Sequence, residues 1–310
     1  MKIYVSTNQN YPALMNGAGS ERIMDNIVKG LSELGHEVFH HIKKKINGPA
    51  FKGVTFVSQM PKEIDIAVIQ DLPSLREPFY PKIPWLKTHH GPGGAHFIHP
   101  KLMDHIIFVS RAQAQFHQSE RYVYNGIDPS EFMYSETKED YLLFMVSHLE
   151  RAVDKGIEIA LQLAKRTGIR LLVAGGVRKA ETLTRFLPIF NTHNADYIGP
   201  ISGTQKGELL AGAKAVLFPT QLNEAFGLVI TEALISGTPV ICSDFGACPE
   251  IVTSDVGFVC ESKQDYEKAI DNLNTIQSAR CRSKVMTQFH YLEMAKNYVR
   301  EYEKQIANYA

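Results

Sequence analysis

The sequence has 310 residues, and its 44% hydrophobic and 21% charged content excludes extended disorder. This length exceeds a comfortable single core, so two domains are expected. The 33 basic residues balance the 33 acidic ones, so the overall charge gives no reason to expect a polyanionic partner. No apolar run approaches the roughly 18 residues of a membrane span, and the opening lacks the apolar core of a secretory signal. Four cysteines without CxxC spacing fit reduced thiols, so we expect a cytoplasmic protein: Cys242, Cys248, Cys260 and Cys281.

Strand and helix patterns alternate in the first half of the chain. Apolar residues recur at helical spacing between residues 21 and 31. Strands are predicted at residues 2–6, 36–39, 65–70 and 106–110. This alternation favours a parallel sheet of the α/β class.

A glycine loop with Gly17 and Gly19 precedes the predicted helix. It does not match a dinucleotide fingerprint, because Arg22 stands where the third glycine belongs and the loop begins well after the strand. We interpret it as a phosphate-approach or acceptor loop at a helix N-terminus, with a glycine turn alone as the alternative.

Two histidines, His89 and His90, end a predicted strand and precede a glycine-rich turn. A metal site would need further ligands at fixed spacing, so no metal is expected. We interpret these histidines as hydrogen-bonding or proton-handling groups, with a structural role as the alternative for each. The run Lys43–Lys45 is interpreted as a solvated loop or strand edge, with contact to an acidic acceptor or a membrane surface as the alternative.

A domain boundary is predicted near residue 137. The turn dipeptides Asn125-Gly126 and Asp128-Pro129 come before the polar run 135–140, which has linker composition. The predicted segments are an N-terminal domain (1–137), a second domain (138–290) and a C-terminal helix (291–310). In the second domain we predict strands at 141–146, 169–174, 197–200, 215–218, 239–243 and 257–260, and helices at 156–167, 206–213 and 228–235.

The stretch 213–250 carries the strongest pattern in the chain. A polar turn with Glu224 and Gly227 separates its first strand from its helix, and Gly237 followed by Pro239 marks the end of that helix. Such a βαβ unit binds ligands at the carboxyl ends of its strands. Glu224 lies at such an end.

The segment from Asn223 to Ile241 resembles the retaining glycosyltransferases of the GT-B fold, family 4. Glu224 and Glu232 match the two glutamates of that family, and the surrounding residues match its E-x-F-G-L and E-A-x-x-x-G-x-P-V patterns. The resemblance covers nearly the whole chain, including the N-G-I-D turn at 125–128. It implies two Rossmann-like α/β domains facing a cleft, with the C-terminal helix crossing back to the N-terminal domain.

The resemblance also implies where a donor binds. Lys155 matches a lysine that grips the donor diphosphate, whereas Ser147 and His148 replace the glycine and arginine usual before it. Arg151 or His148 then supplies the second cation, and Arg151 is favoured because its charge is permanent. The glycine loop with Gly17 and Gly19 would approach the phosphates.

The remaining implied contacts concern the sugar, the ribose and the base. Glu224 would reach sugar hydroxyls, and Glu232 would accept from two vicinal ribose hydroxyls. The backbone of Tyr197 and Ile198 would read the base. Backbone amides would bind sugar and phosphates at Ala225, Phe226, Gly227, Leu228 and Val229. His89 or His90 would orient donor or acceptor.

The implied reaction is transfer of a sugar from a nucleoside diphosphate sugar to an acceptor hydroxyl with retention of configuration. Neither a cofactor nor a metal is expected, since a lysine, an arginine and a helix N-terminus can bind the diphosphate. Among donors a UDP sugar is favoured. The acceptor stays open among a glycan, a lipid, a small molecule and a modified nucleic acid, and peripheral membrane contact is one expectation. The alternatives are a catalytically silent partner subunit that binds a nucleotide sugar, and a sugar-nucleotide epimerase.

Overall fold

The computed structural model describes residues 1–7, 9–12, 19–45, 51–71, 82–91 and 98–309. The chain divides into two compact units. Unit 1 comprises the described residues of 1–128 together with those of 288–310, and unit 2 comprises residues 129–287. The division at residue 128 precedes the polar run in which the sequence predicts the boundary.

Unit 1 is built on parallel strands. Its elements before residue 128 are β1 (Lys2–Ser6), β2 (Asn10–Tyr11), α1 (Gly19–Glu33), β3 (Glu37–His41), β4 (Lys44–Lys45), β5 (Val54–Phe56), β6 (Ile66–Ile69), β7 (Trp85–His89), β8 (Ile106–Phe108) and α2 (Arg111–Phe116). Six strands form one sheet in the order β5-β3-β1-β6-β7-β8, while β2 and β4 pair separately. When these six strands are numbered by their order along the chain, their order across the sheet is 3-2-1-4-5-6, which is the order of a doubly wound sheet.

Unit 2 repeats this arrangement. Its elements are β9 (Tyr141–His148), α3 (Ile157–Thr167), β10 (Arg170–Gly176), α4 (Ala180–Thr192), β11 (Ala195–Gly199), α5 (Gly203–Gly212), β12 (Ala215–Phe218), α6 (Leu228–Ile235), β13 (Val240–Ser243), α7 (Cys248–Ile251), β14 (Gly257–Cys260), α8 (Lys263–Asp271) and α9 (Ser278–Gln288). The sheet order is β11-β10-β9-β12-β13-β14, all parallel. Leu217 pairs with Phe144 on one side and Ile241 on the other, and all three are buried. Uninterrupted apolar strands of this kind are typical of a parallel sheet covered on both faces.

The last helix, α10 (Tyr291–Tyr309), belongs to unit 1 and packs on α1. A Cβ placed on Gly30 would lie 2.6 Å from the Cβ of Ala295, so the two helices approach closely there. The Tyr291 hydroxyl donates to Glu33 at 2.7 Å, and the hydroxyls of Tyr298 and Thr88 are 3.0 Å apart. The predicted return of the C-terminal helix to the first unit is confirmed.

Candidate functional site

Strands β9 and β12 are neighbours at the centre of the unit 2 sheet. After β9 the chain continues to β10 on one side of this pair, and after β12 it continues to β13 on the other side. Their carboxyl ends therefore form a topological switch point, where ligands bind in open α/β sheets. The loops after these strands touch. Gln221 N donates to Asp154 O at 2.9 Å, and Gly156 adopts a φ of +77° with its Cα against the Pro219 carbonyl. A Cβ on Gly156 would lie 1.9 Å from that oxygen.

Lys155 and Glu224 meet at this point. The Lys155 ammonium forms an ion pair with Glu224 Oε2, and the two side chains are 23% and 20% exposed. The Lys155 ammonium also lies 5.5 Å from the centre of the Phe218 ring. The predicted diphosphate-binding lysine and the predicted sugar-binding glutamate thus lie side by side at the switch point.

The backbone around Glu224 is tightly packed. Ala247 N donates to Glu224 O at 3.0 Å. The neighbouring Gly246 has a φ of +60°, and a Cβ there would lie 2.4 Å from both the nitrogen and the oxygen of Glu224. The Ser243 hydroxyl donates to Thr220 O at 2.7 Å. These contacts with the chain after β13 fix the position from which the Glu224 side chain extends.

Helix α6 begins three residues after Ala225, and Gly227 is its N-cap with a φ of +88°. Glycine at this position provides no capping side chain. The first N–H groups of a helix have no intrahelical partner and carry partial positive charge, so the N–H groups of Leu228 and Val229 suit an anion. Both residues are half-buried, whereas Ala225 and Phe226 pack in the core.

Glu232 lies further along α6, where its side chain is 3% exposed. Its Oε2 is 2.6 Å from the ammonium of Lys206 on α5, which is 20% exposed. Lys206 belongs to no motif in the sequence, and no short-range pattern pairs it with Glu232, because different helices contribute the two residues.

The cations predicted near Lys155 make other contacts. Arg151 ends a short 3₁₀ turn, its side chain is 55% exposed, and its Nε is 2.8 Å from Asp154 Oδ2. His148 is the last residue of β9 and lies opposite Gly176 of β10. The structure thus brings Lys155 and Glu224 together and pairs Arg151 with Asp154.

Glu150 is a second residue near the site that belongs to no motif in the sequence. Its Oε1 accepts from the backbone N–H groups of Arg178 and Lys179 at 3.0 Å each and from the Thr182 hydroxyl at 3.1 Å. Burial raises the pKa of Glu150, but these hydrogen bonds and one from its own N–H outweigh burial and lower the pKa to about 2. The carboxylate therefore fixes the start of α4 to the turn that leads to Lys155.

The predicted base-reading residues lie on β11. The Tyr197 hydroxyl donates to Gly175 O at 2.6 Å, and its ring stacks on Phe190 with an interplanar angle of 18°. Ile198 is half-buried beside it. Because the Tyr197 side chain is packed on its own unit, only the backbone here suits the predicted contact with a base.

The other predicted residues belong to unit 1. His89 ends β7 and is buried, with its ring at 77° to Phe108 and 84° to His117. Burial, with Lys87 and His89 adding to it, lowers the pKa of His90 to about 3, so His90 is neutral at pH 7. Gly19 is the first residue of α1, and Gly17 lies outside the described residues.

Among the described residues, no cluster of three or more His, Cys, Asp or Glu side chains is arranged to bind a metal ion. In the same part of the chain, no helix is long and apolar enough to cross a membrane.

Solved structures superpose on nearly the whole of this chain. AviGT4, a glycosyltransferase involved in avilamycin A biosynthesis, superposes with a TM-score of 0.79 at 23% identity, covering 99% of this chain and 98% of that one. Sucrose-phosphate synthase of Thermosynechococcus elongatus gives 0.74 at 16% identity, covering 99% of both chains. The protein therefore has the GT-B fold.

The sequence comparison narrows this class to a family. The profile described as "Glycosyl transferases group 1" matches residues 128–288, and the chain belongs to that family. An uncharacterized glycosyltransferase of Methanocaldococcus jannaschii is 28% identical over 43% of this chain and 38% of its own length. The O-antigen chain mannosyltransferase RfbU of Salmonella typhimurium is 24% identical over 52% of this chain and 46% of its own length. The chain spans less than half the length of these curated relatives.

Proposed function

We propose that the protein transfers a sugar from a nucleoside diphosphate sugar to an acceptor hydroxyl, with retention of configuration and without a metal ion. The observation that carries this proposal is the pairing of Lys155 with Glu224 at the switch point of unit 2, just before the N-terminus of α6. Membership of the glycosyl transferases group 1 family supports the reaction class. Retention follows from the resemblance of the two glutamates to family 4.

Transfer develops negative charge on the departing diphosphate. In the proposed site the Lys155 ammonium and the first N–H groups of α6 stabilise that charge, which lowers the barrier to the extent that they bind the leaving group more tightly than the intact donor. Arg151 or His148 adds a second cation if the turn at 149–151 changes its contacts on binding. These groups match the charge of a diphosphate, so the proposal needs no metal.

The two carboxylates bind hydroxyl groups of the donor. Glu224 accepts from hydroxyls of the transferred sugar, and Glu232 accepts from the ribose. The bond between the anomeric carbon and the diphosphate oxygen breaks, and a bond from that carbon to the acceptor oxygen forms. The acceptor proton passes to the departing phosphate on the same face. The proposal assigns His89 or His90 to orient a substrate.

A UDP sugar is the favoured donor. The structure of Anabaena HepE, which shares the fold with a TM-score of 0.68, contains UDP and glucose, and this motivates the choice of the first ligand. The acceptor remains open among a glycan, a lipid, a small molecule and a modified nucleic acid. Cytoplasmic location and peripheral contact with a membrane remain predictions from the sequence.

The test begins with a thermal-shift screen of the full chain against UDP, GDP, ADP and dTDP sugars. A ligand at 100 times its Kd adds about 2.7 kcal/mol of stability, which such a screen detects. Hydrolysis and transfer of the donor that binds are then measured for the wild type, Lys155→Met and Glu224→Gln. Lys214→Met is the matched control, because Lys214 pairs with Asp140 on the surface.

We expect Lys155→Met to weaken binding of the diphosphate and Glu224→Gln to lower turnover more than binding. The control should resemble the wild type in both. A wild type that binds a donor tightly but turns over none of it with any acceptor would favour a silent partner subunit. Conversion of the donor sugar without an acceptor would favour an epimerase.

A further inference from the structure

The ion pair between Glu232 and Lys206 in unit 2 has a buried carboxylate and an ammonium that is 20% exposed. The Glu232 side chain is 3% exposed, and the residues of α6 from Ile230 to Ile235 are all buried. The distance from Lys206 Nζ to Glu232 Oε2 is 2.6 Å. Removing the Glu232 carboxylate from water costs several kcal/mol, and well-packed apolar residues in place of a buried ion are often neutral or stabilising. Stability alone therefore does not account for a carboxylate at this position.

The position of Glu232 on its helix relates it to the site. Glu232 follows Leu228, the first residue of α6, by four positions, so the two lie on the same face one turn apart. Side chains of a helix lean toward its N-terminus. The Cα–Cβ bond of Glu232 therefore leans toward the first turn of α6, where the proposed function places the diphosphate.

The backbone that carries Lys206 is anchored at the far end of α5. The Tyr141 hydroxyl donates to Leu209 O at 2.8 Å, and the Thr238 hydroxyl donates to Leu210 O at 2.5 Å. The Lys138 ammonium donates to both Ala211 O and the Thr238 hydroxyl, at 2.8 and 2.9 Å. Thr238 follows α6 in the chain, so these contacts hold α5 against the segment that ends α6.

We propose that Lys206 is a positioning residue for the nucleotide: it holds the Glu232 carboxylate in the orientation in which this group accepts from the vicinal hydroxyls of a ribose. This inference rests on the proposed function. A carboxylate has about four lone-pair sites, so one carboxylate can accept from both a lysine and a hydroxyl. Lys206 acts through Glu232 and distinguishes a ribonucleotide from its deoxy counterpart.

The experiment compares a nucleoside diphosphate with its 2′-deoxy form. Titration calorimetry of the full chain with UDP, GDP and ADP identifies the base that binds, and the matching 2′-deoxynucleoside diphosphate is then titrated. A hydrogen bond to a charged group contributes roughly 1.5 kcal/mol or more, so the wild type should prefer the ribose form by about tenfold or more. We expect Lys206→Met and Glu232→Gln each to bring this ratio close to one.

Three further variants separate positioning from folding. Lys206→Arg keeps a positive charge and should retain part of the preference, while Lys214→Met, which removes a surface pair with Asp140, should retain all of it. The double variant Lys206→Met with Glu232→Gln should show the same ratio as either single variant. Circular dichroism checks that each variant is folded, and Lys206→Gln replaces Lys206→Met if the latter is not.

The outcomes are distinct. A Lys206 variant that weakens the ribose and deoxyribose forms by the same factor would show a structural role only and overturn the inference. A wild type that binds both forms equally would overturn the inference and leave the proposed function standing. A wild type that binds no nucleoside diphosphate would overturn both.

Discussion

Substitution of Gly156 by alanine should damage unit 2 far more than the same substitution at Gly168. The two glycines flank α3, with φ values of +77° and +71°. At both positions an alanine would have to adopt the left-handed backbone conformation, which lowers the free energy of unfolding by about 1–2 kcal/mol. At Gly168 nothing lies within 4 Å of the added Cβ, but at Gly156 the Pro219 oxygen would be 1.9 Å away.

The second cost at Gly156 comes from this overlap. A carbon and a carbonyl oxygen normally stay about 3.3 Å apart or more, so the loop after β12 would have to move by more than ~1 Å. Forcing extra atoms into a packed site typically costs a further 1–3 kcal/mol or so. We therefore expect Gly156→Ala to lower the free energy of unfolding by about 2–5 kcal/mol and Gly168→Ala by about 1–2 kcal/mol.

Urea unfolding followed by circular dichroism measures both effects under one set of conditions. The single tryptophan, Trp85, lies in unit 1, so its fluorescence gives a separate signal for the unit that the substitutions do not touch. Gly156 adjoins Lys155, so stabilisation by a bound nucleoside diphosphate should also be lost in Gly156→Ala and retained in Gly168→Ala. Equal destabilisation by the two substitutions would refute the close approach of the loops after β9 and β12.

Three other predictions concern His40, Glu150 and Gly30. Burial, with His41 adding to it, lowers the pKa of His40 to about 4, so between pH 6.5 and 4 the unfolded chain binds a proton that the folded chain does not. The free energy of unfolding should therefore fall by up to about 3 kcal/mol as the pH falls through this window. Urea unfolding at a series of pH values measures this decrease, and His40→Gln should abolish it. Glu150→Gln should lower the melting temperature, because a neutral amide binds the N–H groups at the start of α4 less strongly than a carboxylate; an unchanged melting temperature would contradict this role. Gly30→Ala should destabilise unit 1 by about 1–3 kcal/mol because its Cβ would meet Ala295, and added Ala295→Gly should restore part of the loss measured by urea unfolding.

Local signals predicted the elements around the site closely. The sequence places a strand at 215–218 and a helix at 228–235, and the structure has β12 and α6 with those bounds. Here the apolar strand, the glycine before the helix, and Gly237 and Pro239 after it all indicate the same element bounds. Gly237 indeed has a φ of +82° after the last turn of α6. Consistent local preferences of this kind make a segment predictable.

Other elements could not be predicted from the local sequence, because tertiary packing outweighs local conformational preference. Helix α4 contains Pro188, which normally ends a helix, yet the helix runs from Ala180 to Thr192. Its start is bound by Glu150, and Phe186 and Phe190 pack in the core of unit 2. The hydrophobic contacts and the distant carboxylate cannot be read from the segment itself.

The candidate site shows the same contrast. Lys155 and Glu224 could be found because each belongs to a recognisable motif, and the doubly wound order of the sheet then brings them together. Lys206 belongs to no motif, and its contact with Glu232 depends on how α5 packs against α6. The pairing of Arg151 with Asp154 is likewise a matter of side-chain geometry that spacing does not reveal.

The order of the units along the chain affects how the protein is made. Unit 1 begins at the N-terminus, but Ile127 N donates to Phe289 O at 2.9 Å and α10 covers α1, so residues that complete unit 1 are translated after all of unit 2. At about 5–20 residues per second, the ribosome takes roughly ten to thirty seconds to produce residues 129–287. During that interval the surface of α1 that α10 later covers is exposed in the nascent chain. Unit 2 can finish folding first, whereas unit 1 is complete only after α10 has been translated.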